Sequence, residues 1–177
     1  MAGGTQTPPS ISLVTILTTY IEGSGTETLA SDVTLAEGTS GNIESATITI
    51  NPPGYQSDED VLAFPDANGI TGSWDGSSGI LTLSTSLTPL PSISTWQQAL
   101  ESVTYQNNTD NPNTSDRDFV ILIEDQGGFQ ASDNATFSVT AVNDAPTISS
   151  ATGSTVSHES GNTTSVVASI EASDIDD

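Results

Sequence analysis

In the stretch ESATITI, residues 44–50, Ala46, Ile48 and Ile50 fall on one side of an extended chain and Ser45, Thr47 and Thr49 on the other. A strict period of two suits a strand with one buried face and cannot line one face of a helix. The same alternation returns in ATFSVTAV, where Phe137, Val139 and Ala141 alternate, and imperfectly in SISLVTILTTYIEG, around Ile11, Leu13 and Ile16. RDFVILIED is apolar on both faces and reads as a central strand. Asp75-Gly76 and Gly79 mark a turn between two short strands, and the two prolines of NPPGYQSDED break the ladder. About eight strands at fairly even spacing, with no helices alternating between them, predict an all-β, antiparallel sandwich. One segment departs from the pattern. PLPSISTWQQALESVTYQN carries Thr95 and Gln98 in the form of a capping box after its prolines, which predicts a single short helix ending before Val103.

The charge balance narrows function. Aspartate and glutamate number 23 against a single lysine or arginine, Arg117, for a formal net charge of -22. Such a surface repels phosphate backbones and anionic lipid, so neither nucleic acid nor membrane insertion is expected, and divalent cations are the natural partners. Cysteine is absent, which excludes disulfides, thiolate metal sites and cysteine catalysis together. No apolar run reaches bilayer-spanning length. MAGGTQTPPS has neither a basic region nor an apolar core of the kind export signals carry, so any such signal is expected outside this piece.

No catalytic constellation emerges. His158 is the one histidine, and in SHES its neighbours point to alternating faces of a strand, so it reads as a surface residue. The pairs Asp58/Asp60 and Asp116/Asp118 flank loops without an aromatic platform and read as solvated turns. Trp96 is expected to pack on the sandwich from within the helix, whereas Trp74 beside the Asp75-Gly76 turn is the candidate for stacking on a sugar. The Thr alternation lacks the constant spacing of an ice-ordering ladder and reads as a solvated face. Sequons stand at Asn107, Asn113, Asn134 and Asn162.

The order of signals then starts again. Pro, short strand, a Glu with a nearby Gly and a Thr-rich second strand run from residue 9, and again from residue 146, with Glu22 and Glu159 in equivalent places. The chain therefore divides into residues 9–145 as a full repeat and 146–177 as the opening of a second, in the manner of a tandem array. Two strands alone cannot bury a sandwich face, so the tail is expected to fray or to add to the sheet edge of a neighbouring molecule.

Taken in order, ESATITI, GSWDGSSGILTLS, TWQQALESVTYQNNTDNP, RDFVILIEDQGG and TAVNDAPTI closely resemble the cadherin-like repeats of large bacterial surface adhesins. They are similar as well to the repeats of chondroitin-sulfate proteoglycan ectodomains. The resemblance implies an immunoglobulin-like, cadherin-like sandwich strung in tandem, with calcium (Ca2+) held where neighbouring repeats of the same chain meet. It implies metal roles for Glu22 near the end of the first strand, Asp125 after a late strand, the linker pair Asn143 and Asp144, and Asp174 with Asp176 as the Asp-x-Asp of the next repeat. The chain departs from the cadherin pattern at Ala141 and Ala145, where further acidic or amide ligands are common, and at Glu37, which stands alone where an Asp-x-Asp would fall. On this reading the chain is a non-catalytic spacer of an extracellular, cell-surface adhesin, stiffened by calcium and supporting cell adhesion. The alternative is a ligand-binding module, for carbohydrate or protein, using the loops around Trp74.

Overall fold

Period-two patterning becomes strand nearly everywhere it occurs. In a computed structural model that describes residues 6–152 and 169–176, the first strands are β1 (Ser10–Ile16), β2 (Thr19–Ile21), β3 (Glu27–Thr28), β4 (Ala30–Ala36) and β5 (Ile43–Ile50). They are followed by β6 (Asp60–Ala63), β7 (Ile70–Asp75), β8 (Ile80–Thr85), the helix α1 (Ile93–Glu101), β9 (Thr104–Asn107), β10 (Arg117–Asp125) and β11 (Gln130–Thr140). These lie in a first compact unit, Met1–Ala141. The second, Val142–Asp177, holds β12 (Thr147–Thr152) and β13 (Ser169–Ser173), paired antiparallel with Thr147 opposite Ser173. His158, Glu159 and Asn162 lie outside the described residues.

In the first unit, a six-stranded sheet runs β2-β11-β10-β5-β8-β7, beside a β1-β4 pair and a three-stranded sheet β3-β9-β6. Every pairing is antiparallel except β2 with β11. RDFVILIED is central as expected, flanked by β11 and β5, with Phe119, Ile121 and Ile123 fully buried. The sheets share one core. Tyr105 on β9 meets Tyr20 on β2 edge-on at 4.9 Å and Phe137 on β11 at 4.7 Å, so aromatic rings from the three-stranded sheet interlock with rings from the six-stranded one. The arrangement is consistent with an all-β sandwich.

The single long first strand read from SISLVTILTTYIEG is in fact two. β1 pairs with β4, its register slipping between Leu13 and Ile16, and the chain then crosses so that β2 pairs with β11 in the other sheet. Those slips are the physical source of the imperfect period, because a bulge moves later side chains to the opposite face.

The helix begins earlier than the Thr95/Gln98 pattern suggests. Ser92 is the cap, extended at φ -66° and ψ 161°, with its hydroxyl accepting from the Thr95 N–H. Trp96, Ala99 and Leu100 are buried at helical spacing, and α1 covers the edge of β4 that lacks a strand partner. There Gln97 Nε2 donates to the Val33 carbonyl at 2.9 Å, and Glu101 Oε1 accepts from the Val33 N–H at 3.1 Å. Two side chains one helical turn apart thus replace the peptide group of a missing neighbour strand. Removing the acceptor with Glu101→Ala strands a partly buried N–H and is expected to cost about 1–3 kcal/mol in urea unfolding. Glu101→Gln, which keeps an acceptor oxygen, should lose distinctly less; equal losses from the two variants would show that the Val33 contact contributes nothing.

Candidate functional site

Antiparallel pairing of Thr147 with Ser173 sets the residues before β12 opposite those after β13. Asn143 and Asp144 on one side therefore meet Asp174 and Asp176 on the other. The Asp144 N–H donates to Asp176 Oδ2 at 2.6 Å, the Asp176 N–H donates to Asp174 Oδ1 at 3.3 Å, and the Asn143 side-chain amide donates to the Asp144 carbonyl. Asp174 and Asp176 are half-buried, whereas Asn143 and Asp144 are exposed. Pro146 belongs to the same corner and lines a shallow groove with Ala172, Ser173 and Asp174. Four of the six residues expected to hold a metal thus share one corner of the second unit. Their chemistry, carboxylates and an amide oxygen with no nitrogen or sulfur ligand, suits a hard cation. Among the described residues no three acidic or histidine side chains already converge as a cluster that could hold one.

The other two candidates lie in the first unit, and the fold keeps them apart. Glu22 follows β2, and its N–H donates to the Thr140 carbonyl at the last residue of β11. Asp125 ends β10 at the turn where β11 begins. Ten steps along the strand separate Gln130 from Thr140, roughly 33 Å at the usual rise. Asp125 therefore cannot join Glu22 in one cage; a residue that ends one arm of a hairpin sits at the turn, and the linker leaves from the far end of the other arm. The Asp125 carboxylate is fully buried. Oδ1 accepts from the N–H groups of Gly127 at 2.8 Å and Phe129 at 3.0 Å, while Oδ2 has no partner among the described residues.

The most elaborate polar site in the first unit surrounds Arg117, the one strong cation of the chain. Its guanidinium is fully buried, with Nε donating to Asp60 Oδ2 at 2.8 Å, Nη2 3.4 Å from Glu59 Oε2, and Nη1 donating to the carbonyls of Asn113 and Ser115. Asp60 also accepts from the Tyr105 hydroxyl at 2.6 Å, from the Asn107 side chain and from the Gln56 N–H. Burial, and then the Asp60 carboxylate, push the Tyr105 hydroxyl far above the ordinary phenol range, so it stays a donor. The solvated-turn reading of Asp58/Asp60 is thus corrected for Asp60, which is 1% exposed. Asn107, a sequon by sequence, is buried with its amide committed to Glu59 and Asp60. A lone cation among 23 acids was the available signal. Its partners, 57 and 58 residues away, were not readable from local pattern.

Trp96 is fully buried, as expected from its place in the helix. Trp74 is half-buried, its ring edge-on to Tyr55 at 6.2 Å, and the Tyr55 hydroxyl donates to the Gly76 carbonyl. The indole thus has an aromatic neighbour beside the turn and remains partly exposed. In that turn Asp75 Oδ1 accepts from the hydroxyl and N–H of Ser77, and Oδ2 from the Ser78 hydroxyl. The Ser77 hydroxyl, followed by that of Ser78, holds the Asp75 carboxyl down at about 2.

No family model, no curated protein and no solved structure matches the chain.

Proposed function

We propose that the chain is a non-catalytic extender repeat of a cell-surface adhesin, cadherin-like in fold, whose linker is stiffened by calcium. The observation that carries this reading is the hydrogen bond from the Asp144 N–H to the Asp176 carboxylate, which ties the linker to the Asp-x-Asp that follows β13. Asp144, Asp174 and Asp176 bring three carboxylates to that corner. Drawn together without a cation they repel one another. Bound calcium would supply the positive charge that lets them converge, and the Asn143 side-chain oxygen and main-chain carbonyls can complete an oxygen shell. The buried Oδ2 of Asp125, without a partner among the described residues, supports a taste for cations at a separate place in the first unit. No exposed lysine or arginine competes at either, because the single arginine is buried.

Calorimetric titration of the full chain with calcium tests the proposal. Binding with a dissociation constant of about 10⁻⁴ to 10⁻³ M is expected, as for extracellular modules. At a hundredfold excess over that constant, the linked stabilisation of the second unit should reach about 2–3 kcal/mol. Asp176→Asn keeps an acceptor for the Asp144 N–H but removes the charge, and it should weaken binding and shrink the stabilisation. Absence of calcium binding to the wild-type chain, or an undiminished response in Asp176→Asn, would remove the basis for the reading.

A further inference from the structure

Two turns of the first unit place glycine directly after an asparagine or aspartate, and they treat that residue in opposite ways. In the Asp75-Gly76 turn the carboxylate is gripped by Ser77 and Ser78. The Ala67–Ile70 turn is closed by reciprocal main-chain hydrogen bonds between Ala67 and Ile70, and Asn68 and Gly69 both take positive φ, 53° and 77°. That is the two-residue hairpin geometry for which Asn-Gly is the preferred pair. Both residues are exposed, and neither the Asn68 amide nor the Gly69 N–H has a hydrogen-bond partner among the described residues. Of the ten asparagines in the sequence, Asn68 alone precedes a glycine.

We infer that Asn68-Gly69 is a site of spontaneous deamidation. The main-chain nitrogen of Gly69 attacks Cγ of Asn68, where no Cβ on the glycine obstructs the approach. A new C–N bond closes a five-membered succinimide as the Cγ–Nδ2 bond breaks, and the proton from the Gly69 N–H departs with the leaving ammonia. Water then opens the ring at either carbonyl, leaving aspartate or isoaspartate at position 68. Asp75-Gly76 is the internal contrast, since an ionised carboxylate held by three donors is a poor electrophile and is not free to rotate toward the next nitrogen.

The turn is more than a loop tip. Just before it, Asp66 Oδ1 accepts the Gly72 N–H of β7, the edge strand of the six-stranded sheet, at 2.8 Å. Isoaspartate at 68 adds a main-chain carbon between the two halves of that cap, so modification loosens the rim of the sheet. The inference stands independently of the calcium reading.

The full chain, held at mildly alkaline pH and sampled over time, is digested and mapped by mass spectrometry, with isoaspartyl methyltransferase labelling of the same samples. Residue 68 is expected to lose its amide before any other asparagine, with isoaspartate accumulating there and not at residue 75. The label should disappear in Asn68→Gln, whose longer side chain disfavours ring closure. An intact amide at 68 after another asparagine has reacted, isoaspartate appearing first at residue 75, or undiminished labelling of Asn68→Gln would each overturn the assignment.

Discussion

Arg117→Met is expected to destabilise the first unit by about 3–5 kcal/mol, because breaking a buried ion pair from one side leaves the other charge without compensation. Asp60 would keep its bonds from Tyr105, Asn107 and Gln56 but lose the guanidinium 2.8 Å away. The Asn113 and Ser115 carbonyls would lose their donor as well, loosening the segment that leads into β10. Urea unfolding followed by tryptophan fluorescence measures the loss. Changing Asp60 and Arg117 together to apolar residues of similar volume should not recover it, since the Tyr105 hydroxyl, the Asn107 side chain and the Gln56 N–H then lose their acceptor, at about 1–3 kcal/mol for each donor left buried. A single-variant loss below about 1 kcal/mol would place the pair with ordinary surface bridges and show that the buried Arg117 network contributes little.

Trp96→Ala is the second large effect, about 3–5 kcal/mol, the range for truncating a buried large aromatic. Trp96 is fully buried, and its indole N–H has no acceptor among the described residues. That gives the series a distinctive shape. Trp96→Phe retains much of the ring while deleting an unsatisfied donor, whose burial costs about 1–3 kcal/mol. The phenylalanine variant should therefore lie much closer to wild type than to alanine. Equal losses from Phe and Ala would mean that the N–H has a partner, water included, that the replacement forfeits.

Local pattern carried the reading of β5, from its alternation, and of β10, from an apolar run that suits a strand paired on both sides, because both signals are written within a few residues; the Asp75-Gly76 turn was legible for the same reason. The split of the first strand was not, since which sheet a strand joins depends on partners far along the chain: Asp32 and Ala30 for β1, Ser138 to Thr140 for β2. The cap at Ser92 was hidden by a rival at Thr95, both being hydroxyl residues in one turn. Charged residues fared worst. Asp58 and Asp60 look alike in sequence, yet only Asp60 faces inward to Arg117, Tyr105 and Asn107. Grouping Asp125 with Glu22 failed on hairpin direction, a property of strand pairing that neighbouring residues do not encode. Asn143, Asp144, Asp174 and Asp176 did come to one corner, because a short linker and a two-stranded pairing leave few alternatives.

Trypsin cuts after lysine or arginine, which its specificity pocket reads through a buried aspartate. This chain offers one such residue, Arg117, and the native fold hides it completely. Scission into residues 1–117 and 118–177 thus requires the first unit to open, and when reclosing outruns cleavage the cutting rate follows the population of the opened form. A single protease that finds no target on the folded surface becomes a one-site gauge of unfolding. Arg117→Met would erase the gauge altogether, whereas Trp96→Ala should raise the cutting rate about tenfold for every 1.4 kcal/mol of stability it removes.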